Sequence, residues 1–588
     1  VREGVPLFMN PFDQRALRVA LDLRRPGDRV SVASMGPAAV APVLAEAYAL
    51  GADRVSLVSD PALAGSDTLV TARVLTRLLG RSTSDVVLLG ARTTDGETGQ
   101  VPAEIAALRN VPLASSARSV AWELGSSGLL VTSDTEEGWA AWRVPPPCVV
   151  SVGEKVAKIR HPTDEDHRKA SGRSVEIVTL ADLGIPAGIV GVAGSPTRVV
   201  AVRPASTGRA GVVLSEGPIA ERIARAVELL SSARTSGPTR PVLTSAPGPS
   251  PRSGRRSIVL VSGPEGALED RALALLSESR RALGLAPSAV WVGPSTTPEV
   301  RATLRRAGAS DLFEINVPSE PLEGRTVALG LERILLGRPH YEAGIFLSSH
   351  FGREVAGRVA ARLGLGLTGD AVEVRRDAQG AIVWSKPAFG GNAVADVVSR
   401  TSPSLATVRP GVFELLEGPS GPDLLVQRIE PPAEPRELSP IGRGPEPLEG
   451  YGDLDLAPVA VAVGVGVGGP EGIERIRRLI GGTGWALAAT RRVVDAGWVP
   501  RRLQVGLTGR SSAPDLVLLV GIRGAPNHLV GWKRARRILA INLDPASPVF
   551  AGSDVGIVAT WEEALPGLVE ALRPRFRGPA DRVSGPAS

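Results

Sequence analysis

Short apolar runs rich in β-branched residues recur along the chain, separated by longer stretches with helical spacing: DRVSVASM at 28–35, DRVSLVSD at 53–60 and DVVLLGAR at 85–92. Such runs fit strands buried on both faces, and strands alternating with amphipathic helices build βαβ units around a parallel sheet. The alternation restarts at SIVLVSGP (257–264), SAVWVGP (288–294) and AGIFLSSH (343–350). It starts a third time with PVAVAVGVGVGG (458–469), followed by APDLVLLVGI (513–522), RILAINLD (537–544) and SDVGIVAT (553–560). The pattern predicts an α/β chain with three parallel-sheet domains.

Two breaks separate the three. The segment SSARTSGPTRPVLTSAPGPSPRSGRR, 231–256, is rich in Ser, Pro, Gly and Arg with little to bury, and reads as a flexible linker. A second break, EPPAEPRELSPIGRGPEPLEG at 430–450, precedes the last pattern. An internal echo suggests duplication. GARTTDGETGQVPAEIAALRNVPLAS (90–115) and SSHFGREVAGRVAARLGLGLTGD (348–370) both run from a strand end through a polar turn into a helix of small residues. Ligands of open α/β sheets sit at the carboxyl ends of strands, so these turns are candidate binding loops.

Composition narrows the function classes. At 588 residues the chain exceeds what one core supports, and 43% hydrophobic with 22% charged residues is typical of globular proteins. The net charge of +6 comes from an Arg-rich chain that still carries 61 acidic residues, with no basic run interleaved with aromatics, so nucleic acid is not an expected partner. Cys148 is the single cysteine, which leaves no intrachain disulfide and no multi-cysteine metal or iron–sulfur site from this chain alone. No run of about 18 apolar residues occurs, and the opening VREGVPLFMNPFDQ lacks the layout of a signal peptide. A cytoplasmic bacterial protein without membrane insertion is expected.

Particular motifs carry a resemblance. GADRVSLVSD, LLGARTTDGETGQVPAEIAALRNVP and TLADLGI, within residues 5–185, resemble the small β subunit of electron transfer flavoproteins. From 340 onward, REVAGRVAARLGLGLTGD, KPAFGGNAVADV and ATVRPGVFE resemble the first domain of the large α subunit. From 458 to 575, AATRRVVDAGWVP, LQVGLTGRSSAPDLVLLVGI, NHLVGWK and AINLDPASPVFAGSDVGIVA resemble its FAD domain. The resemblance implies both subunits fused in one chain. It assigns 1–230 to a β-like domain without its first strand and 257–445 to the α-subunit N-terminal domain, both doubly wound and adenine-nucleotide-hydrolase-like. A Rossmann-like FAD domain follows at 446–588. It further implies a monomer acting as a fused heterodimer, whose third domain swings between partner orientations; fusion keeps the two parts at high effective concentration.

The same resemblance points to flavin contacts. Thr490 and Arg491 stand where the family has a Ser-Arg pair, and a guanidinium there favours reduced, anionic flavin. In QVGLTG, 504–509, a set of flavin contacts that includes Val505, the glycines Gly506 and Gly509 allow close backbone approach and Thr508 matches a hydroxyl near the flavin's reactive nitrogen; Leu507 replaces the family's usual Gln. GIRGAPNHLVG, 521–531, resembles the loop whose N–H groups hold phosphate, with Arg523 in place of Ser, then Gly524 and Ala525, and Asn527 in place of Gln. His528 is expected to donate to the flavin's N1–C2=O edge. Asn542 matches an adenosine-side contact, Asp544 its turn, and Thr560 closes the set. The family's basic residue is missing from GVGGPEG, 466–472, which has Pro470 and Glu471.

A second nucleotide, AMP or a second FAD, is implied at Asn10, Pro11, Phe12 and Asp13, at Met35, and in the loop from Gly90 through Thr94, Asp95, Gly96 and Thr98 to Val101. The partner loop RHPTDEDHRKAS, 160–171, places Asp164 where an apolar anchor is usual, between Arg160 and Arg168; such a charged loop either docks by electrostatic steering or is solvated surface. The expected function is FAD-based electron transfer from a flavoprotein dehydrogenase to a quinone-linked or ferredoxin-like acceptor. The alternatives are an NADH-linked bifurcating flavoprotein with two FADs, and a non-redox nucleotide-binding interaction protein.

Overall fold

The computed structural model describes residues 7–576 apart from 83, 95, 137, 205–208, 210, 233–253, 264–265, 318–322, 338–340, 390, 392, 419–422, 433–435, 447–449, 455–456 and 507–508. The body of the predicted linker and two of the predicted flavin residues, Leu507 and Thr508, lie outside the described residues, as does Asp95. The chain forms two compact units. One comprises Val1–Val202, Ser245–Lys386 and Ala395–Gly444; the other comprises Arg203–Thr244, Pro387–Val394 and Pro445–Ser588.

The first unit holds a seven-stranded sheet in which every neighbouring pair is parallel. Its order is Leu367–Ala371, Ser404–Val408, Tyr341–Leu347, Arg256–Leu260, Ala286–Val292, Asp311–Ile315 and Leu425–Ile429. Helices cover both faces, which is why its strands read as nearly continuous apolar runs. Val327, Leu331, Val355 and Val359 pack on one face; Leu273, Leu276 and Leu304 pack on the other.

The part before the linker repeats this order in two pieces. Ser31–Met35, Arg54–Val58 and Glu176–Val178 form a parallel three-stranded sheet. Leu113–Trp122, Cys148–Val152 and Val86–Gly90 form the parallel end of a six-stranded sheet, extended by the antiparallel strands Leu129–Asp134 and Gly138–Val144 and by Ser439–Pro445. In the seven-stranded sheet Arg256–Leu260 joins the two arms. In the first part, Val86–Gly90 and Ser31–Met35 each end a sheet among the described residues.

The second unit is built on six parallel strands in the order Val212–Leu214, Val555–Val558, Ile538–Asn542, Leu516–Val520, Val459–Val463 and Ala486–Ala489. VAVAV and LVLLV are buried at every position, and each Val or Leu so buried contributes roughly 1.5–3 kcal/mol before entropy is counted. The segment from Arg203 to Ser232, expected from the sequence to belong to the first domain as far as 230 and to the linker beyond it, adds its strand and the helix Ile219–Ser232 to this unit. Ala226, Val227 and Leu230 lie in the same core as the sheet. Arg209 donates to Asp554 at 2.5 Å and to the Ala535 carbonyl at 2.6 Å, with both charged side chains nearly fully buried.

Candidate functional site

Val459–Val463 has Ala486–Ala489 on one side and Leu516–Val520 on the other, so the winding of the second unit's sheet reverses at this strand. Such a reversal opens a crevice at the carboxyl ends of the strands. The loop after Val463 is bonded to the loop after Val520: the Gly464 N–H donates to the Val520 carbonyl (2.9 Å) and the Gly466 N–H to the Gly521 carbonyl (3.1 Å). Gly468 and Gly469 then adopt φ of +86° and +134°, with open space where a side chain would project. Only glycine holds this backbone without strain. Pro470 opens the 11-residue helix Pro470–Ile480, whose first-turn N–H groups have no carbonyl partner within the helix and face outward with the positive end of its dipole. An open glycine pair leading into such a helix fits a phosphate group.

Most of the predicted flavin residues converge on this end of the sheet. The Thr490 N–H donates to the Val463 carbonyl (3.0 Å), and Thr490 caps the short helix Arg491–Asp495 through its backbone carbonyl. Arg491 is partly exposed and lies 3.3 Å from Asp495, one helical turn on. Val505 is buried, and its N–H reaches the Ala489 carbonyl at 3.0 Å. Gly524 is buried, while Arg523, Ala525 and Asn527 are exposed. Ser547 holds the loop by donating to the Arg523 carbonyl (3.2 Å).

Two predicted contacts are engaged within the protein. Asn542 donates to the Ile522 carbonyl (2.9 Å) and accepts the Asp544 N–H (2.9 Å), so its amide ties the 521–525 loop to its own turn. The Thr560 hydroxyl forms a capping box with Glu563 at the start of the helix Trp561–Leu572. His528 is buried between Val505 and Trp532, a residue the sequence reading did not single out. Its Nδ1 lies 2.8 Å from the Val505 carbonyl, and its Nε2 accepts the Trp532 indole N–H at 3.0 Å. Desolvation pushes its pKa down to about 4 against the opposing effect of the Val505 bond, so the ring is neutral at pH 7.

In the first unit, the structure brings Asn10–Asp13 onto the end of Val86–Gly90. Asn10 donates to Asp13 (2.6 Å) and to the Arg92 carbonyl (3.0 Å); Asp13 accepts the Gly90 N–H at 2.7 Å. Phe12 is buried, Pro11 opens the helix Pro11–Asp22, and burial pushes the Asp13 carboxyl above its usual range despite these bonds. Met35 ends the neighbouring strand Ser31–Met35. Farther along the loop, Lys386 donates to the Gly96 carbonyl at 2.6 Å. Burial pushes Glu97 up to about 7, with Arg92, Asp370, Arg409 and Lys386 around it. Thr94 is exposed, Thr98 partly buried, and Val101 begins the helix Val101–Arg109. Asp370 itself pairs with Arg353 (2.8 Å) and Arg409 (3.3 Å); burial opposes its charge, and the arginines more than offset it.

The predicted partner loop folds into the short helix Asp164–Ala170, capped by Thr163 and Asp166, with Asp164 and Arg168 exposed. Arg160 reaches Asp166 at 2.6 Å. No described helix is long and apolar enough to cross a membrane.

The doubly wound sheet and the cradle at its reversal define an α/β protein of the nucleotide-cofactor-binding class. The electron transfer flavoprotein domain matches residues 1–183 and 257–433, and the electron transfer flavoprotein FAD-binding domain matches 453–533. The chain therefore belongs to the electron transfer flavoprotein family. It is 30% identical over 320 residues to the α subunit of Mycobacterium leprae, covering 54% of this chain and 98% of that one. The α subunit of Mycobacterium tuberculosis is 33% identical over 322 residues, 54% of this chain and 98% of that one. The β subunit of Thermoanaerobacterium thermosaccharolyticum is 36% identical over 234 residues, 40% of this chain and 89% of that one. One polypeptide thus joins β-like and α-like parts, the latter ending in an FAD-binding domain.

Proposed function

We propose that the chain is a one-polypeptide electron carrier, taking electrons from a flavoprotein dehydrogenase and delivering them to a quinone-linked or ferredoxin-like acceptor. The observation that supports this most directly is the meeting of the Gly464–Pro470 and Gly521–His528 loops at the sheet reversal. Gly468, Gly469 and the first turn of Pro470–Ile480 would hold the pyrophosphate of FAD. Arg523, Gly524 and Ala525 would border it. Thr490, Arg491, Val505 and Gly506 would line the ring system, and Asn542 and Thr560 would act by fixing the loops. FAD supplies reversible electron uptake; the chain supplies binding, exposure and the local field.

A second reading is favoured by the pairing of Asp13 with Gly90: a nucleotide, AMP or a second FAD, at the ends of Ser31–Met35 and Val86–Gly90. A second FAD there would make the chain an NADH-linked bifurcating flavoprotein. Reductive titration separates the readings. Bleaching only when a dehydrogenase and its substrate are present supports the carrier; bleaching by NADH alone, with two flavins per chain, supports bifurcation. Failure of both reductants on a flavin-loaded chain counts against either.

A further inference from the structure

His528 lies in the short helix Pro526–Leu529, and Trp532 ends the turn Val530–Trp532 that follows it. The four-residue spacing brings the rings together edge to face, with centroids 6.0 Å apart and planes at 71°. Trp532 is fully buried and His528 nearly so. An indole nitrogen can only donate, and a backbone carbonyl can only accept. Trp532 Nε1 at 3.0 Å therefore requires an unprotonated Nε2, and the Val505 carbonyl at 2.8 Å requires a proton on Nδ1. A single neutral tautomer satisfies all three groups. A protonated Nε2 would set two donors face to face in a buried site, which agrees with the downward push that burial gives the imidazole.

The relay also joins two backbone segments that already touch. A side chain on Gly531 would come within 2.6 Å of the Gly506 nitrogen, and the Ser512 N–H donates to the Gly531 carbonyl at 3.1 Å. His528 braces this junction from the inside, between the Val505 carbonyl and the indole.

We propose that Trp532 is a positioning residue: it fixes His528 as the Nδ1–H tautomer and occupies its Nε2, so that the imidazole braces the Val505–Gly506 segment and has no N–H to offer a flavin carbonyl. The flavin clause rests on the FAD reading above; the tautomer clause does not. Trp532 acts on the cofactor through His528.

The test is histidine-selective 15N labelling of the full chain, with and without FAD; five histidines give few signals, and His528→Asn assigns the one in question. The expected spectrum shows His528 with a protonated Nδ1 and a hydrogen-bonded, unprotonated Nε2 in both samples. In Trp532→Phe the Nε2–H form should gain at least tenfold relative to the parent, and the midpoint potential of bound flavin should shift at unchanged FAD stoichiometry. A purely packing role would weaken binding without moving tautomer or potential. An Nε2–H tautomer in the parent overturns the proposal even if Trp532→Phe fails to fold, and so does a variant with unchanged tautomer. A shifted tautomer at constant potential overturns the flavin clause. A chain with the expected tautomer that takes up no FAD supports the brace and refutes the FAD reading.

Discussion

Asp13 accepts the backbone N–H of Gly90 at 2.7 Å, tying the first helix to the carboxyl end of the strand Val86–Gly90 across 77 positions of sequence. The bond is partly buried, and Asn10 completes it by donating to the other carboxylate oxygen. Asp13→Ala leaves the buried Gly90 N–H without its acceptor and takes one of two acceptors from the Asn10 amide, which costs about 1–3 kcal/mol. Urea denaturation of the variant should show that loss, whereas Asp13→Asn, which keeps one acceptor oxygen, should lose less.

Glu104 is fully buried and accepts the Thr68 hydroxyl at 3.0 Å. Burial raises its pKa from 4.5 to about 8. The folded chain therefore holds a proton that the unfolded chain has released, so the stabilisation is complete below pH 4.5 and is lost as pH rises to about 8. The parent should be less stable at pH 8 than at pH 5 by up to about 4 kcal/mol from this group. Glu104→Gln should flatten that dependence; an equal slope in both proteins would remove Glu104 as its source.

His528 runs the other way. Its folded pKa is depressed to about 4, so its contribution is present above pH 6.5 and is lost as pH falls through 4. Tryptophan fluorescence during acid titration should show the parent weakening over this window, and His528→Gln should blunt the response.

Arg491 should separate binding from stability. Its pair with Asp495 is partly exposed, and such helix pairs contribute about 0.3–0.5 kcal/mol. Arg491→Ala should leave the melting temperature nearly unchanged, while FAD affinity falls by about 1–3 kcal/mol and the flavin potential drops, as expected for loss of a charge-assisted hydrogen bond. Matched calorimetry and redox titration check both halves.

Arg209 should matter far more to stability. Its guanidinium is buried against Asp554 and the Ala535 carbonyl, and removing one partner of a buried pair costs about 3–5 kcal/mol. Arg209→Ala should destabilise the unit containing the Val459–Val463 sheet, measured by its chemical denaturation midpoint.

The long strands were legible because VAVAV, LVLLV and the Ile538–Asn542 run are apolar at nearly every position, as strands covered on both faces must be. The junction of Asn10–Asp13 with the Gly90 loop was legible through family motifs. The membership of 203–232 was not: its strand is three residues long and half exposed, and an amphipathic helix does not say which core it joins. Trp532 was missed because an aromatic four residues from a histidine reads as ordinary core packing; only the ring-to-ring hydrogen bond shows its effect. Asn542 and Thr560 illustrate the reverse, since motif position suggested ligand contacts and the structure gives their side chains bonds within the protein.

The most direct measurement is to denature the purified, reconstituted chain and quantify FAD and AMP released per polypeptide. The electron-carrier reading expects one FAD per chain, with or without AMP. A colourless chain that releases no FAD after reconstitution would contradict it.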